Sequence, residues 1–170
     1  MKKLIFLAAL IAILLIACKS APKPPQQPSQ PQQPSVSSEE NFSDFSEITG
    51  KNWLLTEVRI DGKNTGFDRG ALVRDGFGEY FTLRFDAENI SGTGAPNRYS
   101  APYTLGTGGE IDIMLVRATL MAPIREPDKL REHDFFNYVQ NSYKWNLTRN
   151  NLELNSRIED GSEVVLIFTL

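Results

Sequence analysis

Ser91 to Tyr103, with the sequence SGTGAPNRYSAPY, is the stretch in the middle of the chain that concentrates residues with special backbone requirements. Gly92 and Gly94 can adopt positive φ, Pro96 fixes φ and removes a donor, and Asn97 tolerates the left-handed region. The sequence predicts a tight loop of defined shape here, with a ligand-binding loop as the alternative. It contains no catalytic constellation.

Alternating apolar residues on both sides of this stretch predict β-strands that bury one face. Three sets are predicted to point inward: Phe81, Leu83 and Phe85; Tyr99, Ala101 and Tyr103; and Ile111, Ile113 and Leu115. The glycine-rich residues 106–109 form the predicted turn before the third set. The first part of the stretch 91–103 is therefore predicted to lie between strands, and its end to enter the next strand.

Upstream, residues 51–60 predict a first strand that ends at the turn pair Asp61-Gly62. Its alternation places four residues on one face: Leu54, Thr56, Val58 and Ile60. Residues 64–78 are rich in glycine and charge without sustained periodicity, so they predict a long loop, with a short irregular strand near Leu72 and Val73 as an option.

Downstream, Asp128 after Pro127 predicts the N-cap of one helix that runs to about Asn141. Its apolar side comprises Phe135, Phe136, Tyr138 and Val139. Three closing strands are predicted at Tyr143 to Thr148, with Tyr143, Trp145 and Leu147 aligned, at Leu152 to Asn155, and at Val164 to Leu170. Short strands at close spacing indicate an antiparallel barrel or sandwich, here an α+β fold with one helix.

Residues 1–17 carry a localisation signal. Lys2 and Lys3 precede an uncharged apolar run that is shorter than the roughly 20 residues needed to span a bilayer, which predicts a secretory signal peptide. Leu15-Ile16-Ala17-Cys18 resembles the lipobox of bacterial lipoproteins. That resemblance implies cleavage before Cys18 and acylation of this residue, the sole cysteine of the chain. An incidental cysteine after an ordinary signal is the alternative.

Residues 18–45 are predicted to be a disordered tether. They contain six of the ten prolines, interleaved with glutamine and serine, a composition that favours extended polyproline II over a packed core. The folded domain is predicted to span residues 46–170. The alternative is that this tract binds a proline-specific partner.

The order of motifs in that domain resembles the META domain family of HslJ-like bacterial proteins. The resemblance begins at Trp53-Leu54-Leu55 and continues through the strand 81–85, the central motif, a T-x-M-A segment and the acidic Glu132 before Phe135 and Phe136. It ends on the strand pair 151–154 and 164–168. The motif positions taken as candidate site residues are Gly92, Gly94, Pro96, Asn97, Tyr99, Tyr103, Thr119, Met121 and Pro123.

Two departures from the family pattern involve proline. The two motif cysteines of the family are Pro96 and Pro123 in this chain, which argues against a redox role for these loops. The joint replacement predicts that the two loops are neighbours, so that Pro96→Cys with Pro123→Cys would form a disulfide. That bond requires Cα atoms within about 7 Å of each other.

The resemblance implies a cracked, lipocalin-like barrel with a packed helix and a function associated with envelope stress or antibiotic tolerance. The residues themselves predict no enzyme, no cofactor and no metal site, because His133 is the sole histidine and no nucleophile–base set or His/Cys cluster occurs. Without residues 1–17, acidic side chains outnumber basic ones by five, which argues against nucleic acid as a partner.

Two functions of different class remain. The first is an envelope module, anchored through acyl chains at Cys18, that meets envelope proteins through the loops 97–100 and 64–78. The second is a carrier or sensor of an apolar ligand, lined by Phe81, Phe85, Tyr103, Phe136 and Trp145. Interior volume distinguishes them, because a barrel filled by its own aromatics leaves no ligand site. Lys19 after the cysteine predicts sorting to the outer membrane.

Overall fold

The computed structural model describes residues 44–123 and 127–170. The predictions for the signal peptide, for Cys18 and for most of the tether lie outside these residues. A 3₁₀ turn at Phe45–Glu47 is followed by ten strands and two helices: β1 (Trp53–Ile60), β2 (Lys63–Asn64), α1 (Arg69–Arg74), β3 (Thr82–Phe85), β4 (Asn89–Thr93), β5 (Arg98–Leu105), β6 (Ile111–Ile113), β7 (Arg117–Ala118), α2 (Glu132–Gln140), β8 (Ser142–Leu147), β9 (Asn151–Arg157) and β10 (Glu163–Thr169).

The strands form a nearly closed antiparallel barrel with one seam. Eight of them follow the order β6-β5-β4-β3-β1-β10-β9-β8. The two short strands lie off this path, where β2 pairs with β1 and β7 pairs with β5. At the seam between β6 and β8, a single bridge joins Glu110 to Lys144, and the Trp145 amide donates to the Gly109 carbonyl at 2.8 Å. The predicted cracked, mainly antiparallel barrel with a packed helix is confirmed.

Aromatic side chains fill the barrel interior. Phe81, Phe85 and Phe135 are completely buried. Phe81 and Phe135 meet edge to face at 5.1 Å between ring centroids, and Tyr99 packs on Phe135 at 5.7 Å. Such edge-to-face pairs add to the stabilisation from burial alone. The inward positions predicted for β3 and β5 are confirmed by this core.

Strand β1 departs from simple alternation. Its register with β10 shifts between Leu55 and Glu57, so the strand carries a β-bulge there. As a result Trp53 and Leu55 face the core before the bulge, and Val58 and Ile60 face it afterwards. The predicted inward set is therefore wrong at Leu54 and Thr56 and confirmed at Val58 and Ile60. The extra residue of a bulge reverses which side chains face the core.

The predicted long loop at residues 64–78 contains a helix instead. Asp68 caps α1 by accepting a hydrogen bond from the Ala71 amide at 3.1 Å. The helix is six residues long and buries only Leu72. A stretch this short shows no helical period, which is why the sequence did not reveal it.

Three further expectations are corrected at element ends. Helix α2 begins at Glu132 and not after Asp128, because Lys129 takes a φ of 70° that interrupts a helix. Leu115 lies beyond the end of β6 and is 67% exposed. Tyr143 points outward because the register of β8 on β9 shifts between Ser142 and Lys144. Among the described residues, no helix has the length and apolarity to cross a membrane.

Candidate functional site

Three separate segments meet at the central motif. They are the turn 94–97 between β4 and β5, the residues 119–121 that follow β7, and Glu132 at the start of α2. The turn contains a cis peptide bond between Ala95 and Pro96. Hydrogen bonds from one side chain, that of Asn97, link all three segments.

The carboxamide of Asn97 is 5% exposed and uses its whole hydrogen-bonding capacity. Its Nδ2 donates to Glu132 Oε2 at 2.7 Å and to the Met121 carbonyl at 3.0 Å. Its Oδ1 accepts from Thr119 Oγ1 at 2.8 Å and from the Met121 amide at 2.7 Å. An asparagine side chain offers two donors and two acceptor sites, so none is left for a ligand.

The Glu132 carboxylate holds the turn from the helix side. Its Oε1 accepts from the Asn97 amide at 2.6 Å and from the Ala95 amide, and its Oε2 accepts from the Asn97 side chain. Hydrogen bonds to an ionised acceptor are about twice as strong as neutral ones. These bonds fasten the first turn of α2 to the β4–β5 turn.

Gly92 and Gly94 allow neighbouring groups to approach the backbone closely. Neither residue adopts a positive φ. A Cβ at Gly92 would lie 2.1 Å from the Thr82 carbonyl oxygen, and one at Gly94 would lie 2.6 Å from Glu132 Oε1 and from the Phe136 ring. The tight loop predicted over residues 91–103 is confined to the turn 94–97, because the remaining residues belong to β4 and β5. Both glycines leave room for a neighbouring backbone or side chain.

The two motif tyrosines have different surroundings. Tyr99 is buried beside the network and donates from its hydroxyl to the Thr82 carbonyl at 2.8 Å. Burial raises the pKa of Tyr99 far above its usual range, so the hydroxyl stays a neutral donor. Tyr103 donates to the Asp86 carbonyl at 2.7 Å and packs against Phe85, outside the network.

The second motif joins the network through Thr119 and Met121. Thr119 Oγ1 also accepts from the Arg98 amide at 3.2 Å, whereas Met121 bonds only through its backbone and leaves its side chain 54% exposed. The hydrogen bonds between Asn97 and Met121 hold the segments that contain Pro96 and Pro123 next to each other. The engineered disulfide between these prolines stays a prediction.

The network's geometry suits a scaffold. Within the described ranges, no three His, Cys, Asp or Glu side chains are placed to hold a metal ion. The imidazole of His133 is 89% exposed and lies 3.8 Å from the Asp134 carboxylate. Glu132, which belongs to the family pattern but is not among the candidate site residues, provides the carboxylate at the centre of the network. Its place beside the aromatics in the family pattern was the signal for that role.

Two depressions on the described surface are bordered by residues beside α1 and by residues of β5. One depression of about 210 Å³ is bordered by Asp68, Leu72, Phe77 and Lys129 beside α1. A broader one of about 420 Å³ is bordered by Phe45, Tyr103 and Leu105. Of the predicted ligand-lining residues, Tyr103 borders the second depression. Phe81 and Phe85 border neither, because they pack on other rings of the core.

These features define an antiparallel barrel, open at one seam, whose only long described helix is bonded to the β4–β5 turn. The META domain family model matches residues 46–168, and the chain belongs to this family. The fold is similar to the NMR structure of a protein from Burkholderia xenovorans, at 16% identity and a TM-score of 0.55 over 84% of this chain and 99% of that one.

The chain is also similar to the crystal structure of a DUF4847 family protein from Bacteroides vulgatus. Identity is 12% and the TM-score is 0.50, over 73% of this chain and 94% of that one. At these identities the likeness concerns the fold alone. No curated protein matches the chain.

Proposed function

We propose that this META domain protein is a lipid-anchored, non-catalytic binding module of the bacterial cell envelope. The proposal rests on one observation, which is that the polar side chains of the motif are already hydrogen-bonded within the protein. The side chains of Asn97, Glu132 and Thr119 bond to one another and to the backbone. Catalytic groups need a free proton, lone pair or ligand position. The motif is therefore a scaffold, and binding belongs to the surface.

Anchoring rests on the sequence Leu15-Ile16-Ala17-Cys18 and on the proline-rich tract behind it. Several acyl chains at about 0.8 kcal/mol per buried CH₂ hold a soluble domain on a membrane. With Lys19 as the next residue, the proposal places the domain at the outer membrane. The resemblance adds a role in envelope stress or antibiotic tolerance.

The protein-binding surface is proposed to be the side formed by residues 64–78. Of the two loops predicted for this role, 97–100 exposes only Arg98 and Ser100, because Asn97 and Tyr99 are buried. In the other, Val73 is 58% exposed near the depression beside α1. The depression is also bordered by Phe77, and aromatic side chains are enriched at protein interfaces.

Photo-crosslinking in intact cells tests this binding surface. A photoreactive residue at Val73 is expected to capture one envelope protein, whereas the same residue at Tyr143, which is 41% exposed and borders neither depression, should not. Equal capture at both positions would refute the surface. A stoichiometric lipid that co-purifies with the domain would favour the carrier, and turnover abolished by Glu132→Gln would favour an enzyme.

The anchor has its own measurement. Intact-mass analysis of the mature protein is expected to show an acylated Cys18 as the first residue, and Cys18→Ala should no longer float with membranes. An unmodified N-terminus would refute the anchor while leaving the binding surface to be judged by crosslinking.

A further inference from the structure

Four apolar side chains project from one edge of the barrel. Met114, Leu115, Leu120 and Met121 are 47%, 67%, 100% and 54% exposed. Complete exposure of a leucine in a segment fixed by backbone bonds is unusual, since burying such a side chain is worth about 2 kcal/mol. We call residues 114–121 the apolar ridge.

The apolar ridge is held along β5. The Met114 amide donates to the Pro102 carbonyl at 2.9 Å, β7 pairs with Tyr99 and Ser100, and the Met121 amide donates to Asn97. Neighbouring residues of an extended chain point to opposite sides. Both members of each apolar pair are exposed, so apolar groups stand on both sides of the chain at the two ends of the ridge, while Val116 between them packs against the core.

The charged side chains of the ridge and of its paired strand β5 are cationic. Residues 113–125 and 89–109 contain no acidic residue, and the adjoining acidic residues include Asp112, which is exposed in β6, and Glu132, whose carboxylate is bonded to Asn97. Arg98 and Arg117 are exposed on adjacent strands, and the Thr119 amide donates to the Arg98 carbonyl at 3.0 Å. Cations beside protruding apolar side chains complement an anionic phospholipid surface.

We infer that the apolar ridge inserts into the boundary between headgroups and acyl chains of an anionic bilayer, with Arg98 and Arg117 at the phosphates. A protein partner would need a groove that accepts a two-sided ridge, whereas lipid accommodates it without a matching shape. The inference rests on the proposed anchoring, which keeps the domain close to a membrane. It adds a second contact that fixes the orientation of the domain.

The experiment uses the full chain carrying Leu120→Cys and a nitroxide label. The chain is reconstituted in vesicles of phosphatidylglycerol with phosphatidylethanolamine, and in vesicles of phosphatidylcholine alone. Collisions of the label with oxygen, relative to a water-soluble nickel complex, report immersion in lipid. Val73→Cys is the matched control, because Val73 is 58% exposed in α1.

We expect the oxygen-to-nickel collision ratio at position 120 to exceed that at position 73 by about threefold or more in the anionic vesicles, as for a side chain in the acyl boundary. Arg98→Gln with Arg117→Gln should lower the immersed fraction about tenfold, since each cation near an anionic surface contributes to binding. In phosphatidylcholine the two positions should differ little.

Equal ratios at positions 120 and 73 in anionic vesicles would overturn the inference and leave the anchor intact. Immersion that persists in the arginine variant, or a label that is immobilised yet inaccessible to lipid-borne oxygen, would also overturn it. The anchor is judged separately, because an acylated Cys18 takes no label. A mass showing two labels would refute the anchor, and the collision ratio at position 120 would still decide the ridge.

Discussion

At the scale of single residues, the motif derives its specificity from the amide of Asn97, which donates on one side and accepts on the other. Replacement of Asn97 by aspartate keeps the shape but removes the donors to Glu132 and to the Met121 carbonyl. A carboxylate would then face another carboxylate at the 2.7 Å contact. Charge and not shape is changed by this substitution.

We predict that Asn97→Asp lowers the free energy of unfolding at pH 7 by about 3 kcal/mol or more, because it leaves a buried charge unpaired. Asn89→Asp on the exposed side of β4 should change it by less than about 0.5 kcal/mol. Urea denaturation followed by tryptophan fluorescence measures both.

The pH dependence of this variant has a defined sign. Repulsion raises the folded-state pKa of the introduced carboxyl above its unfolded value, so the protonated form stabilises the fold. Stability relative to the wild type should recover below the unfolded pKa and fall as the pH rises through the folded pKa. A deficit that does not change between pH 3 and pH 7 would show that charge is not the cause.

The sequence showed which residues of the motif are unusual, but not what they contact. Gly92 was predicted to be special for its φ, yet its constraint is the Thr82 carbonyl of another strand. Glu132 lies 35 positions from Asn97, and no local pattern reveals that its carboxylate reaches a distant turn. Tertiary contacts of this kind are absent from alternation and spacing.

At the scale of elements, Arg69 joins α1 to two strands. Its half-buried guanidinium donates to the carbonyls of Leu55 at 2.7 Å, Tyr80 at 2.7 Å, Phe81 at 3.0 Å and Gly78 at 3.2 Å. Phe81 has a φ of 54° and directly precedes β3. One side chain thus fixes α1 against both β1 and the strained corner that starts β3.

We predict that Arg69→Lys destabilises the domain by about 2 kcal/mol, because one ammonium cannot reach the four carbonyls that the planar guanidinium bridges. Arg74→Lys is the control in the same helix, since Arg74 is 70% exposed and makes one 3.4 Å contact with Asp68. Its effect should stay within about 0.5 kcal/mol. Thermal unfolding of the purified chain compares them, and equal losses would contradict the role of Arg69.

Elements were predictable where the alternation or the apolar face was regular. The inward set of β3 at Phe81, Leu83 and Phe85 followed from strict alternation, and the helix near Phe135 followed from its apolar face. The bulges in β1 and β8 were not predictable, since an unpaired residue leaves no trace in composition. The six-residue α1 was too short for its period to appear.

At the scale of the whole molecule, closure of the barrel depends on a residue from outside the strands. Phe45 precedes the predicted domain boundary at residue 46, yet its ring lies 5.2 Å from that of Phe85, 5.6 Å from Tyr103 and 5.1 Å from Trp145. Tyr103 pairs with β6, while Trp145 lies in β8 on the other side of the seam. The ring of Phe45 therefore links Tyr103, whose strand β5 pairs with the edge strand β6, to Trp145 in the edge strand β8.

We predict that Phe45→Ala in the full chain lowers the free energy of unfolding by about 2 kcal/mol, less than for a fully buried phenylalanine because the ring is half-buried. Leu120→Ala, at a fully exposed position, is the control and should leave it unchanged within about 0.5 kcal/mol.

Amide hydrogen exchange distinguishes opening of the seam from a general loss of stability. The amide of Trp145, which bonds across the seam to the Gly109 carbonyl, should exchange faster in Phe45→Ala by more than the global loss explains, whereas amides between β9 and β10 should follow the global loss. Uniform acceleration in both places would mean that Phe45 stabilises the core without closing the barrel.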